Sequence, residues 1–418
     1  MRTGQTQRHL HGPEEVDYAP DELVVVCLMR DALPYVRSFV EHYFSLGAKH
    51  LVFLDNGSRD GTVEVLRAHE NVTILHTDVS FKEYQKYLKR YLIHRFGKRD
   101  RWVLYVDQDE LFDYPYSDVV SLGSFLHYLT ENSYTAVVAQ MLDMFPEEPV
   151  SRAANVEDEP LKERHRFYDV SDIAAQDYHA FQRSRNVVAN QEIEVHKGGI
   201  LKTVFGRHAF LTKHPLVFLD EEIESMYPGA HWVGGARVAD ISCPLFHYKF
   251  IGDVHERTMR AVEEDSYAND SAKYRKFLKT LEQNPELSVK RETARELRHV
   301  NDLVENQFLV VSGDYLIWVD AEEKNGGPRR LAEAFSKASA RARTQASEAD
   351  NFQRQAERLD ASLGEEHRRV ELLEKENRSL KKRNRSLESQ MRKIQGSRIW
   401  RLLDKFGRIR ARIQARKG

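Results

Sequence analysis

Two cysteines in 418 residues, Cys27 and Cys243, cannot build a disulfide framework or a thiolate metal cluster, and such low usage fits a reducing compartment. Cys27 falls inside the apolar run LVVVCLM at 23–29, where it reads as a small buried hydrophobe. An excess of one charge is also missing. Lys and Arg total 63 against 65 Asp and Glu, a net charge of -2, so any pull toward nucleic acid or membrane must be local. No unbroken apolar segment is long enough to span a bilayer. The first 20 residues lack the apolar core of a signal peptide and read as a disordered leader. The expected location is cytoplasmic, with the C-terminal tail offering peripheral contact at the inner face of a membrane.

What is present is a strand–helix alternation. The run at 23–29 is continuous and β-branched, as in a strand buried on both faces. A helical pattern follows from Pro34 to Gly47, then a strand at 50–54 ending in Asp55-Asn56-Gly57-Ser58. A third strand is expected at 72–76, a helix rich in aromatic and basic residues at 81–96, and a buried strand WVLYV at 102–106 that runs into Asp107-Gln108-Asp109-Glu110. This alternation predicts an α/β fold, a mostly parallel sheet with helices on both faces. Ligands of such sheets bind beyond the carboxyl ends of the strands, where Arg30, Asp31, Asp55, Asp107 and Asp109 stand.

Residues 146–185 read as a long charged loop over the site, with β-like pieces at 199–205, 208–211 and 245–250. Helical patterns cover 255–282 and 289–308, an apolar patch lies at 314–319, and Gly326-Gly327-Pro328 ends the globular part. The domains predicted are a leader (1–20), a catalytic domain (21–325), a linker or helical lead-in (326–350), a coiled coil (351–395) and a basic amphipathic tail (396–418).

Asp107 and Asp109, two apart at a strand end, can turn toward one side and offer oxygen ligands to a hard cation such as Mn²⁺ or Mg²⁺. A diphosphate leaving group needs that kind of neutralisation. Asp55 is either part of an ordinary turn or an acceptor for a nucleobase or ribose, with Ser58 and Arg59 near the same pocket.

The series CLMRD, LVFLDNGSRDGT, the helix carrying Gln85 and Lys89, and WVLYVDQDELF resembles family 2-like glycosyltransferases of the GT-A fold. The similarity is to the bacterial branch in which a D-x-D-E motif is followed by a late H-x-K. The resemblance spans roughly residues 23–252. It implies a Rossmann-like, mostly parallel mixed sheet and transfer from a nucleoside-diphosphate sugar, UDP-sugar favoured, to a glycan or glycolipid hydroxyl. It also implies that Asp55 contacts the base, that Asp107 and Asp109 hold metal and diphosphate, and that Arg30, Asp31, Gln85 and Lys89 line the donor pocket. Lys202 and Lys249 become phosphate contacts, His247 a metal ligand, and His231 a donor or acceptor contact. An inverting transfer needs a general base. Asp220, Glu221 and Glu222 occupy the expected interval, with Asp143 and His196 as alternatives; the family's glutamate–aspartate pair and its Q-x-x-R-W motif are absent. The other readings are an inactive domain on a coiled-coil scaffold, and a nucleotidyltransferase, whose glycine-rich basic first loop CLMRDALPYV does not resemble.

In the tail, Val370, Leu373, Asn377, Leu380, Asn384, Leu387, Met391 and Ile394 alternate by three and four. This predicts a parallel coiled-coil homodimer registered by Asn377 and Asn384. The basic segment after Gly396, with interspersed Trp400, Phe406 and aliphatics, suits an anionic membrane surface, and nothing in the globular part suggests nucleic acid.

Overall fold

Residues 7–20 are not a loose leader. In the computed structural model, which describes residues 7–153, 160–181, 186–223, 230–251, 254–264, 272–322, 383 and 386–393, strand β1 (Gln7–His11) lies antiparallel to residues 74–77. A polar segment can do this because an edge strand is hydrogen-bonded on one side only and keeps side chains in water.

The first half then follows the predicted alternation: β2 (Val24–Met29), α1 (Leu33–Leu46), β3 (His50–Asp55), α2 (Thr62–Leu66), β4 (Val72–Thr77), α3 (Phe81–Phe96) and β5 (Trp102–Tyr105). Strands β4, β3, β2 and β5 lie side by side, all parallel. β2 and β3 are buried along their whole length, which is why their sequences show no polar alternation. α1 has proline in its first turn and stops at Gly47, whose φ of 105° is a left-handed conformation that glycine adopts without a Cβ penalty.

The second half is more irregular. It comprises β6 (Glu110–Phe112), α4 (Leu122–Glu131), β7 (Ala136–Asp143), α5 (Leu161–Arg164), β8 (Phe167–Tyr168), β9 (Ile173–Asp177), α6 (Tyr178–Phe181), β10 (Val187–Val188), β11 (Glu194–Gly198) and α7 (Ile200–Phe205). β12 (Thr212–Lys213), β13 (Leu216–Phe218), β14 (Arg237–His247), α8 (Val254–Glu263), α9 (Ala272–Gln283), β15 (Arg295–Glu296), α10 (Asp302–Glu305) and α11 (Gly313–Glu322) follow. The main sheet runs β1–β4–β3–β2–β5–β13–β7–β14–β10, with β12 beside β7 and β6 beside β14. β13 is antiparallel to both its neighbours, while β7 and β14 are parallel. The fold is therefore the mixed, mostly parallel α/β sheet expected.

Several local expectations are corrected. Residues 200–205 are helical, because Gly198 and Gly199, with φ of 110° and 66°, turn the chain sharply out of β11. The expected loop at 146–185 carries α5, β8, β9 and α6. The helix expected at 289–308 reduces to the single turn α10, and the patch at 314–319 belongs to α11.

The chain divides into a unit at Met1–Ser339 and a second at Ala340–Gly418. The predicted linker, the basic tail and nearly all of the coiled coil lie outside the described residues. Within the second unit, residues 386–393 are helical, and Leu387 and Met391, four apart on one face, are both exposed. Among the described residues no helix is long and apolar enough to cross a membrane.

Candidate active site

A cavity of about 510 Å³ opens beyond the carboxyl ends of β2 and β5. Its wall combines Arg30 and Asp31 after β2, Gln85 and Lys89 on α3, and Asp107, Asp109 and Glu110 after β5. Lys213, His231, His247 and Lys249 line the same cavity, and α8 supplies Arg257 and Arg260. A larger hollow of about 780 Å³ lies at the other end of α1, near Gly47 and Lys49, and brings together no comparable set of groups.

Sheet register assembles the centre. His247 is the last residue of β14, and it sits between Asp143, its partner on β7, and Glu110, its partner on β6. The His247 ring meets Asp143 Oδ1 at 2.6 Å through Nδ1 and Asp109 Oδ2 at 3.3 Å through Nε2. Asp109 is fixed by its carbonyl, which accepts the Tyr248 N–H at 2.8 Å. Burial opposes charge on His247, but Asp109 and Asp143 raise its pKa to about 10. Burial likewise opposes charge on Asp109, yet His247 lowers its pKa to about 2.

Asp107 turns the other way. Its Oδ1 accepts from Lys89 Nζ and from the Tyr105 hydroxyl, both at 2.7 Å, and its Oδ2 accepts from Lys213 Nζ at 3.1 Å. Lys213, only 3% exposed, also pairs with Glu110, whose other oxygen accepts the Asp107 N–H at 3.2 Å. Burial alone would raise Asp107; Lys213 and Lys89 instead hold it well below the usual carboxylate range. Burial also works against the Lys213 ammonium, which Asp107 and Glu110 keep protonated.

The donor set fits a divalent cation. Asp109, Glu110 and His247 each bring a ligand atom within 4.8 Å of the others, and carboxylate oxygen with imidazole suits Mn²⁺ or Mg²⁺. Asp143 binding Nδ1 is the outer-shell arrangement that fixes a ligating histidine's tautomer and aims Nε2 at the ion. With Nδ1–H donated to Asp143, Nε2 and the Asp109 carboxylate are two acceptors face to face, which only a proton or a metal between them can hold together.

The other predicted residues divide. Arg30, Asp31, Gln85, Lys89, His231 and Lys249 line the cavity. Asp31 has φ of 48°, accepts the Arg59 N–H at 2.8 Å and lies 3.6 Å from Arg260, while Arg30 reaches Glu264 at 3.2 Å. His231 is held by Thr212 O at 2.9 Å, and burial lowers its pKa to about 4, so it serves as a neutral imidazole. Lys249 Nζ lies 5.6 Å from the centroids of Tyr274 and Phe277.

Seven of the expected residues are not among those lining the cavity. Asp55 accepts Gly57 N–H, Ser58 N–H and the His76 ring, so it braces its own turn while Asn56 faces the cavity. Lys202 is drawn to Asp172. Asp220 pairs with Arg237 at 2.8 Å, and Glu221 with Arg99, and neither lines the cavity. Glu222 also pairs with Arg237, and the His196 ring rests 5.4 Å from Phe308. Asp143 holds the His247 ring through Oδ1 and is not among the residues lining the cavity. Sequence reading missed Lys213 and the α8 arginines: a lysine in LTKHP has no motif, and only pairing of β12 with β7 brings it to Asp107.

No family model and no curated protein matches the chain. Among solved structures it is similar to S. aureus TarS, at 15% identity over 32% of this chain and 27% of that one, with a TM-score of 0.24. It is also similar to TarS 1–349, at 14% identity over 77% and 89%, TM-score 0.26. A third is the galactosyltransferase LgtC in complex with donor and acceptor sugar analogs, at 17% identity over 34% and 50%, TM-score 0.19. The chain thus spans about a quarter of the first TarS chain and half of LgtC. With TM-scores this low, function has to be read from the chain's own site.

Proposed function

We propose that this chain is a metal-dependent, inverting glycosyltransferase that moves a sugar from a nucleoside-diphosphate sugar, UDP-sugar favoured, to a glycan or glycolipid hydroxyl in bacterial surface polysaccharide assembly. The observation that carries the reading is the Asp143–His247–Asp109 relay, set in a strand-end cavity beside two buried lysines. Asp109 and His247 would hold the cation, with Asp143 fixing the ring. When bound, the cation supplies neutralisation of charge developing on the diphosphate leaving group. Lys89 and Lys213 add fixed positive charge on the same wall, and Arg257 and Arg260 add more at the α8 side. Deprotonation of the acceptor hydroxyl is not assigned to Asp143, Asp220 or Glu221.

The tail is proposed to pair two chains through a parallel coiled coil at 351–395, with 396–418 resting on an anionic membrane. Leu387 and Met391, exposed on one helix face, support the first half of that reading. The test of the catalytic reading is a panel of nucleotide sugars with Mn²⁺, monitored by nucleotide release and nucleotide binding. Absence of any donor consumption or binding, or full activity in Asp109→Ala and His247→Ala, overturns it.

A further inference from the structure

Lys213 is a buried lysine in the middle of an acidic cluster, and it divides that cluster in two. On its side, every carboxylate oxygen of Asp107 and Glu110 has a protein donor. Asp107 takes Lys89, Tyr105 and Lys213; Glu110 takes Lys213 and the Asp107 amide. Asp109 takes neither lysine and makes its contact with His247. A buried carboxylate, Glu110, beside a half-buried one, Asp107, is costly to keep charged without a cation between them. The chain supplies one covalently, on a side chain 3% exposed whose stem is locked by β12 pairing with β7.

We infer that Lys213 is a built-in cation that occupies the Asp107–Glu110 half of the cluster and confines divalent metal to the Asp109–His247 half, so that each chain takes one metal ion and not two. This rests on the metal-site reading above. Glu110 is close enough to serve either half, but its oxygens are committed to Lys213 and the Asp107 amide. Asp107 then acts as a positioning residue, the socket that holds Lys89 and Lys213 against the cavity wall. The D-x-D spacing serves two different cations, an ammonium on its first aspartate and a metal on its second.

The experiment is Mn²⁺ binding to the full-length chain, followed by calorimetry and by the electron paramagnetic resonance signal of free Mn²⁺. The wild type is expected to bind one ion. Asp109→Asn weakens binding by at least about tenfold, whereas the isosteric Asp107→Asn changes it by less than about threefold. Lys213→Met frees two carboxylates and gives either a second bound ion or about tenfold tighter binding. The inference is overturned if Asp107→Asn weakens Mn²⁺ as much as Asp109→Asn does, or if folded Lys213→Met binds one ion at unchanged affinity; the metal-site reading survives both results. A wild type that binds no Mn²⁺ sinks that reading and the inference with it. If Lys213→Met fails to fold, the two isosteric asparagine variants decide the matter alone.

Discussion

Strands β3 and β5 flank β2 on either side, parallel to it, and each apolar run leads to an aspartate, yet the two carboxylates end in different employment. Asp55, 2% exposed, is wrapped by its own turn and by His76, its register partner on β4, at 2.9 Å. Asp107 is wrapped by lysines from α3 and from the segment before β13. A strand-end acid is thus defined by what its neighbours bring: β4 brings a histidine that closes a loop, while the far side of β5 brings ammonium groups that face a cavity. The first acid stabilises structure, and the second sets the charge of a site.

That contrast can be broken most directly at the centre. Removing Asp109 or His247 as alanine should cut sugar transfer by at least about 100-fold, measured as nucleotide release with Mn²⁺. Asp107→Ala leaves Lys89 without its carboxylate partner and Lys213 with Glu110 alone; about 3 kcal/mol of stability should be lost, read from the urea midpoint. Asp55→Ala removes acceptors from two backbone N–H groups and one imidazole, and about 1–3 kcal/mol is expected, with Mn²⁺ affinity unchanged. A large loss of metal affinity in that variant would erase the distinction between the two strand ends.

Acid titration sharpens the contrast in another way. Burial lowers His42 and His214 to about 3, and His165, His196 and His231 to about 4. In the unfolded chain these rings take a proton near their ordinary value of about 6.5. The unfolded state therefore binds more protons, and stability should fall as pH drops from about 6.5 toward 3. His247 has the opposite sign. Raised to about 10, it contributes stability that is complete below about 6.5 and is lost as pH climbs through 10. Melting temperatures across pH 4–10 check both limbs, and His247→Gln should flatten the alkaline one. The smallest effects belong to Asp220→Ala and Glu221→Ala, whose surface ion pairs lie outside the cavity; transfer should stay within about twofold.

Much of the first half was legible because local rules suffice there. Buried parallel strands read as unbroken apolar runs, Pro34 and Gly47 bracket α1, and Asp107 and Asp109 mark the end of β5. Residues 7–11 were not legible, because an edge strand can be polar. The second half was read less well because its strands are short and its helices few-turned, so periodicity has little length in which to show itself. A histidine at 247 could be singled out by its motif, but that its ring would lie between Asp143 and Asp109 could not.

By itself the sequence determined the α/β alternation, the strand ends at which charged groups gather, and the acidic pair with a later histidine. It did so because burial on both faces and strand-end turns leave local signatures. The tertiary structure alone decided which groups meet. Register sets Glu110 and Asp143 on opposite sides of His247, and β12 carries Lys213 into the cluster. Those contacts join residues about a hundred positions apart. Which strand lies beside which, and in what register, is fixed by packing of the whole sheet, and no short segment encodes it.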